Sequence, residues 1–130
     1  MKREILFRGK DKVTKKWVYG DYTHNEGLNT HYISRNVNNT SRKAWEVDPD
    51  IVGQYTGLKD KNGNKIFEGD IVTIGNNLKA VVIWFNGSFR FKDELSSKAT
   101  YFDDIGIIMR DYDVQVVSNI HDNPNYQASV

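Results

Sequence analysis

Asn86-Gly87 separates an apolar run, Leu78 to Phe85, from Ser88-Phe89-Arg90-Phe91-Lys92, in which Phe alternates with polar residues. Asn and Gly tolerate the positive φ of a two-residue turn, so this stretch is the strongest hairpin signal in the chain. Leu78 to Phe85 is apolar at both alternating positions, the pattern of a strand buried on both faces. Short runs of β-branched and aromatic residues, broken by Gly, Asn and Asp, recur from end to end, while helical periodicity is weak. The chain therefore reads as mainly β, with six or seven short strands.

The centre follows the same grammar. Pro49 fixes its own φ and disfavours helix at Asp48, so a turn leads into a strand from Val52 to Leu58. Asp60-Lys61-Asn62-Gly63 is a turn, with Gly63 supplying the positive φ, and Ile66 and Phe67 resume the sheet. Glu68-Gly69-Asp70 makes a second reversal before Ile71 to Ile74. Gly69 stands where a side chain would obstruct the bend, and Asp70 caps its own turn. Asp93 to Asp104 is the one interval read as a helical turn or short helix, because Glu94, Leu95, Lys98 and Ala99 favour it. A last strand runs from Val114 to Ile120 and is stopped by His121-Asp122-Asn123-Pro124-Asn125. Strands of this length in a meander suggest a small SH3-like bent barrel over residues 52–121.

Ahead of it, Glu4 to Arg8 and Trp17 to Thr23 flank the lysine-rich Asp11 to Lys16 as an antiparallel pair. From His24 to Trp45 the chain is rich in Asn, Ser and Thr, and "NVNNTSRK" reads as an exposed loop. The expected organisation is an amino-terminal β-hairpin lobe with a polar loop over 1–46, a barrel-like core over 47–123 and a flexible tail over 124–130.

A chain of 130 residues supports one core or two small cooperating lobes. It has no cysteine, which removes disulfide scaffolds, thiolate metal sites and cysteine nucleophiles together. The apolar run at the amino terminus, Ile5 to Phe7, is far too short for a signal sequence or a membrane span, so a cytoplasmic protein without membrane contact is expected. Net charge is +1, which gives no global nucleic-acid footprint. Locally, Lys2, Arg3, Arg8, Lys10, Lys12, Lys15 and Lys16 face only Glu4 and Asp11.

Val52-Gly53-Gln54-Tyr55-Thr56-Gly57-Leu58, then Asp60-Lys61-Asn62-Gly63 and Ile66-Phe67-Glu68-Gly69-Asp70-Ile71-Val72, resemble the YopX family of phage and prophage proteins. The opening "REILFRGKDKVTKKWVYG" and the closing "VVSNIHDNP" are similar to that family's ends, whereas His24 to Trp45 matches no shared pattern. The resemblance implies a small, largely β protein of phage or prophage origin that self-associates in the bacterial cytoplasm. It carries no activity, cofactor or catalytic residue with it.

Candidate chemistry is sparse. Asp60, Asn62, Asn64 and Glu68 alternate like calcium ligands, but Lys65 occupies the place of the required glycine and Ile71 that of the closing glutamate. No phosphate-binding Gly-x-x-x-x-Gly-Lys sequence exists. The carboxylate pairs Glu68 and Asp70, Asp103 and Asp104, and Asp111 and Asp113 have the composition of solvated turns. His24, His31 and His121 share no spacing that signals a metal site or a triad. No cofactor, metal or catalytic residue is assigned. The leading expectation is a non-enzymatic accessory protein that forms a homo-oligomer and binds a host or phage protein or another macromolecule. The alternative is nucleic-acid binding through Arg8, Lys10, Lys12, Lys15 and Lys16, with Trp17 or Tyr19 stacking on bases. A metal-dependent nuclease built on Asp111 and Asp113 ranks last.

Overall fold

The computed structural model describes residues 3–93 and 100–123. The chain forms two compact units, Met1–Tyr55 and Thr56–Val130.

In the amino-terminal unit, β1 (Phe7–Lys10), β2 (Trp17–Asn25), β3 (Thr30–Asn36) and β4 (Arg42–Val47) form an antiparallel meander. A 3₁₀ turn, Pro49–Ile51, follows; the Asp48 side chain accepts from the Asp50 N–H at 2.9 Å and so caps it. The first residues of β5 (Gly53–Lys59) pair with β1. Ile33 and Val47 are fully buried. The meander curls enough that Asp11, just past β1, bridges Val47 in β4, and the Lys12 N–H donates to the Glu46 carbonyl at 3.0 Å.

This meander corrects the reading of His24 to Trp45 as a polar loop. Two strands, β3 and β4, occupy half of it, and 26–29 and 37–41 turn. There the Val37 N–H donates to the Ser41 carbonyl, and Asn38 Oδ1 accepts from the Thr40 N–H. Each strand buries very few side chains fully, so the alternation of apolar and polar residues was too thin to stand out among Asn, Ser and Thr.

The carboxy-terminal unit continues β5 into a hairpin with β6 (Lys65–Phe67). Its five-stranded antiparallel sheet has the order β10-β9-β8-β7-β11, from β7 (Asp70–Ile74), β8 (Leu78–Phe85), β9 (Ser88–Asp93), β10 (Thr100–Asp104) and β11 (Val114–Asn119). β10 and β11 lie at opposite ends of that order, so the expected bent barrel is an open sheet rather than a closed one. Ile66, Val72, Ile74, Ala80, Val82, Phe91, Ile105 and Val114 form its buried core. On the other face of β7 and β8, Ile71 and Val81 are also buried, with Ile83 packed against them. The middle of β8 is thus buried on both faces as its sequence implied, but Trp84 and Phe85 are exposed beside the turn.

Turn residues fall where the sequence placed them. Gly63, Gly69 and Gly87 all have positive φ, and Asn86 joins Gly87 in the left-handed region at the β8–β9 turn. Asp70 is buried, and its carboxylate accepts from the Phe67 N–H at 2.7 Å. Of the interval Asp93 to Asp104 expected to hold a helical turn, Asp93 ends β9 and Thr100–Asp104 is strand, while 94–99, which carry that expectation, lie outside the described residues; among the described residues the one α-helix, α1, is Ile105–Asp111. Asp104 is its N-cap, accepting from the Gly106 N–H at 2.8 Å, which starts the helix after the β-forming Tyr101 and Phe102. The expected tail over 124–130 lies outside the described residues.

Candidate functional site

The expected basic hairpin exists, and its register sorts its residues. Lys10 lies opposite Trp17 and Arg8 opposite Tyr19, so these four share one face of β1 and β2. Arg8 is buried, with Cζ 4.7 Å from the centre of the Trp17 ring, and Lys10 Nζ lies 5.2 Å from the same ring. Trp17 therefore organises two cations, each held by the negative face of the indole. Tyr19 is exposed.

Lys12, Lys15 and Lys16 belong instead to the turn between the strands. Asp11 builds that turn: its carboxylate accepts from the Val13 N–H and from Thr14 Oγ1, each at 3.0 Å. The Val13 hydrogen bond, helped by Thr14 and by the charge of Lys43, holds the Asp11 carboxyl below its ordinary range against the opposing effect of burial. Lys15 adopts a positive φ of 62°, which closes the turn. Lys12 Nζ pairs with Glu46 Oε2 at 3.1 Å, and Lys15 and Lys16 are exposed.

A second aromatic and cationic group lies on β3 and β4. Arg35 Cζ is 5.4 Å and Lys43 Nζ 5.5 Å from the centre of the half-buried Trp45 ring. Farther along the same face the β2–β3 hairpin sets His24 opposite His31, with their rings stacked 4.1 Å apart. The Tyr22 hydroxyl lies 2.5 Å from His31 Nδ1. Sequence reasoning found no relation among the histidines. The signal was a register: once Asn25 and Thr30 pair, residues 24 and 31 must face one another.

The carboxylates weighed for catalysis lie in separate places. Asp70 belongs to the β6–β7 turn and Asp104 caps α1, while Asp111 and Asp113 are exposed on either side of Tyr112. Asp60, the first of the calcium-like set, accepts from the N–H groups of Asn62, Asn64 and Val116 and from Asn64 Nδ2. Burial raises its carboxyl, and those hydrogen bonds together bring it below the ordinary value. Among the described residues no three His, Asp or Glu side chains group as a metal site. A pocket of about 410 Å³ in the carboxy-terminal unit is lined by Ile74, Gly75, Asn76, Asn77, Leu78, Phe102, Ile108 and Tyr112, a mainly apolar lining without an ionisable pair at neutral pH. No helix among the described residues is long and apolar enough to cross a membrane.

The fold and this geometry define a mainly β protein with cation-flanked tryptophans in its amino-terminal unit. The YopX protein family matches residues 6–126, and the chain belongs to that family. No curated protein matches the sequence. Among solved structures, the chain is similar to protein EF1440 from Enterococcus faecalis, at 23% identity and a TM-score of 0.48, over 97% of this chain and 99% of that one.

Proposed function

We propose that this YopX-family chain is a non-enzymatic binding protein that takes nucleic acid on its amino-terminal unit. The observation that carries the reading is the concentration of cations around aromatic rings there: Arg8 and Lys10 at Trp17, Arg35 and Lys43 at Trp45. Formal charge divides the same way. Residues 1–55 hold ten Lys and Arg against seven Asp and Glu, and residues 56–130 hold eight against ten. A modest net charge still binds a polyanion when the cations are grouped, because each phosphate neutralised releases condensed counterions. Aromatic rings beside those cations add sequence-tolerant contacts to bases. The non-enzymatic part of the reading is supported by Asp60, Asp70 and Asp104, whose carboxylates serve turns and a helix cap.

The test is fluorescence anisotropy of labelled single- and double-stranded oligonucleotides at low and near-physiological salt. The triple variant K12Q/K15Q/K16Q changes only exposed turn lysines. It should weaken binding to both probes and reduce the slope of log K against log salt by about 2 to 3. Absence of binding to either probe by the unaltered protein at low salt would overturn the reading.

A further inference from the structure

In β2, β3 and β4 the register sets residues in rows: His24, His31 and Val47; then Tyr22, Ile33 and Trp45; then Arg35 and Lys43. Side chains alternate along a strand, so these residues share one face. The three strands contain only two acidic residues, Asp21 and Glu46. Asp21 lies opposite Ser34, and Glu46 opposite Tyr32, so both belong to the other face. There each is already neutralised, Asp21 by Arg42 at 2.5 Å and Glu46 by Lys12 at 3.1 Å. The Trp45 face therefore carries cations without a strand carboxylate to balance them.

Other groups near this face bear on its charge. Asp11, at the bridge to Val47, is close enough for Lys43 to influence its ionisation, but its carboxylate oxygens accept from Val13 and Thr14. Gly9 of β1 packs onto Val47 and Ile33, where even a Cβ would come within 3.1 Å of Val47 Cγ1, so the middle of the face is filled. The part left with exposed cations is the Trp45 end, where Arg35 and Lys43 are both exposed.

We propose that this end of the face is a binding site for single-stranded nucleic acid, in which an unpaired base displaces the exposed Arg35 and Lys43 side chains from the Trp45 ring and stacks there, while the two cations turn to the flanking phosphates. The inference rests on the nucleic-acid reading above and adds the site and the strandedness. The occupant follows from the chemistry: a positive face suits a polyanion, and an indole beside two exposed cations suits one whose bases are free to stack. A duplex hides its base faces and offers only phosphates, so it cannot use the ring.

The decisive experiment compares oligothymidylate with a duplex of equal length, for the full chain and for R35Q/K43Q, a pair of exposed substitutions that leave the core intact. R35Q/K43Q should bind oligothymidylate about tenfold more weakly at low salt, with the salt slope shallower by about 1.4, and lose a clearly smaller factor on duplex, whose phosphates are not anchored there by a stacked base. A W17F/W84F variant, which leaves Trp45 as the sole tryptophan, should lose fluorescence on adding oligothymidylate, with the midpoint that anisotropy gives. Parental affinity for oligothymidylate in R35Q/K43Q, or equal losses on single strand and duplex, overturns the site. If in addition K12Q/K15Q/K16Q lowers binding to both probes, the general nucleic-acid reading stands while this site falls. An unaltered protein that binds neither probe ends both.

Discussion

The Asp60 carboxylate accepts a hydrogen bond at 2.9 Å from the backbone N–H of Val116, across 56 positions of sequence. Beside it the Lys61 N–H donates to the Val114 carbonyl at 3.1 Å. β11 pairs with β7 along one side only, so the β5–β6 turn satisfies backbone groups that an edge strand would otherwise expose. A turn that resembles a calcium loop in sequence is a clamp on the last strand.

Replacing Asp60 with Asn places an amide where the Val116 N–H or the Asn64 and Asn62 N–H groups need an acceptor. D60N should lower stability by about 2–3 kcal/mol in chemical denaturation. Because the folded state holds this carboxyl below its ordinary value, its contribution is complete above the unfolded range near about pH 4 and is lost as pH falls through the lower folded value. The parent should therefore lose stability on acidification more steeply than D60N. Parallel acid limbs for the two proteins would contradict this role.

Gly20 sits where β2 meets β3 so closely that a Cβ would lie 2.2 Å from the Ser34 carbonyl oxygen. The obstacle is backbone, so the strands would have to part. G20A should lose about 2–3 kcal/mol, whereas G27A, in the exposed turn of the same hairpin, should stay within about 0.5 kcal/mol of the parent. Thermal or denaturant unfolding of the two variants separates the outcomes, and equal stabilities would contradict the close approach.

At the β8–β9 turn, Gly87 has φ of 82° and nothing within 4 Å of a Cβ added there. A loss in G87A would come from backbone conformation alone, and about 1–2 kcal/mol is expected. N86G, at φ of 51°, should be nearly neutral. The same denaturation experiment checks both, and a G87A protein as stable as the parent would show that the turn tolerates a different geometry.

Much of the carboxy-terminal unit was legible because its signals are local. Asn86-Gly87, Asn62-Gly63 and Gly69-Asp70 specify their own turns, and the β-branched runs between them are dense. The helix Ile105–Asp111 was not legible, because it depends on the Asp104 cap and on Ile105 entering the core rather than on intrinsic propensity. β3 and β4 were missed because Ile33 and Val47 are the only apolar side chains they bury fully. The candidate site was legible in kind but not in place. Lysines crowding Trp17 are visible in one stretch of sequence, whereas the group at Trp45 draws Arg35 from the neighbouring strand and appears only with the β3–β4 register.

The most direct measurement is equilibrium binding of the unaltered protein to labelled oligothymidylate and to a duplex of equal length, from low salt to about 0.15 M. The expected result is saturable binding to both at low salt, log affinity falling linearly with log salt, and a preference for the single strand that survives at the higher salt. No binding to either probe at low salt would contradict a nucleic-acid function, and equal affinity for both throughout would contradict a role for stacked bases.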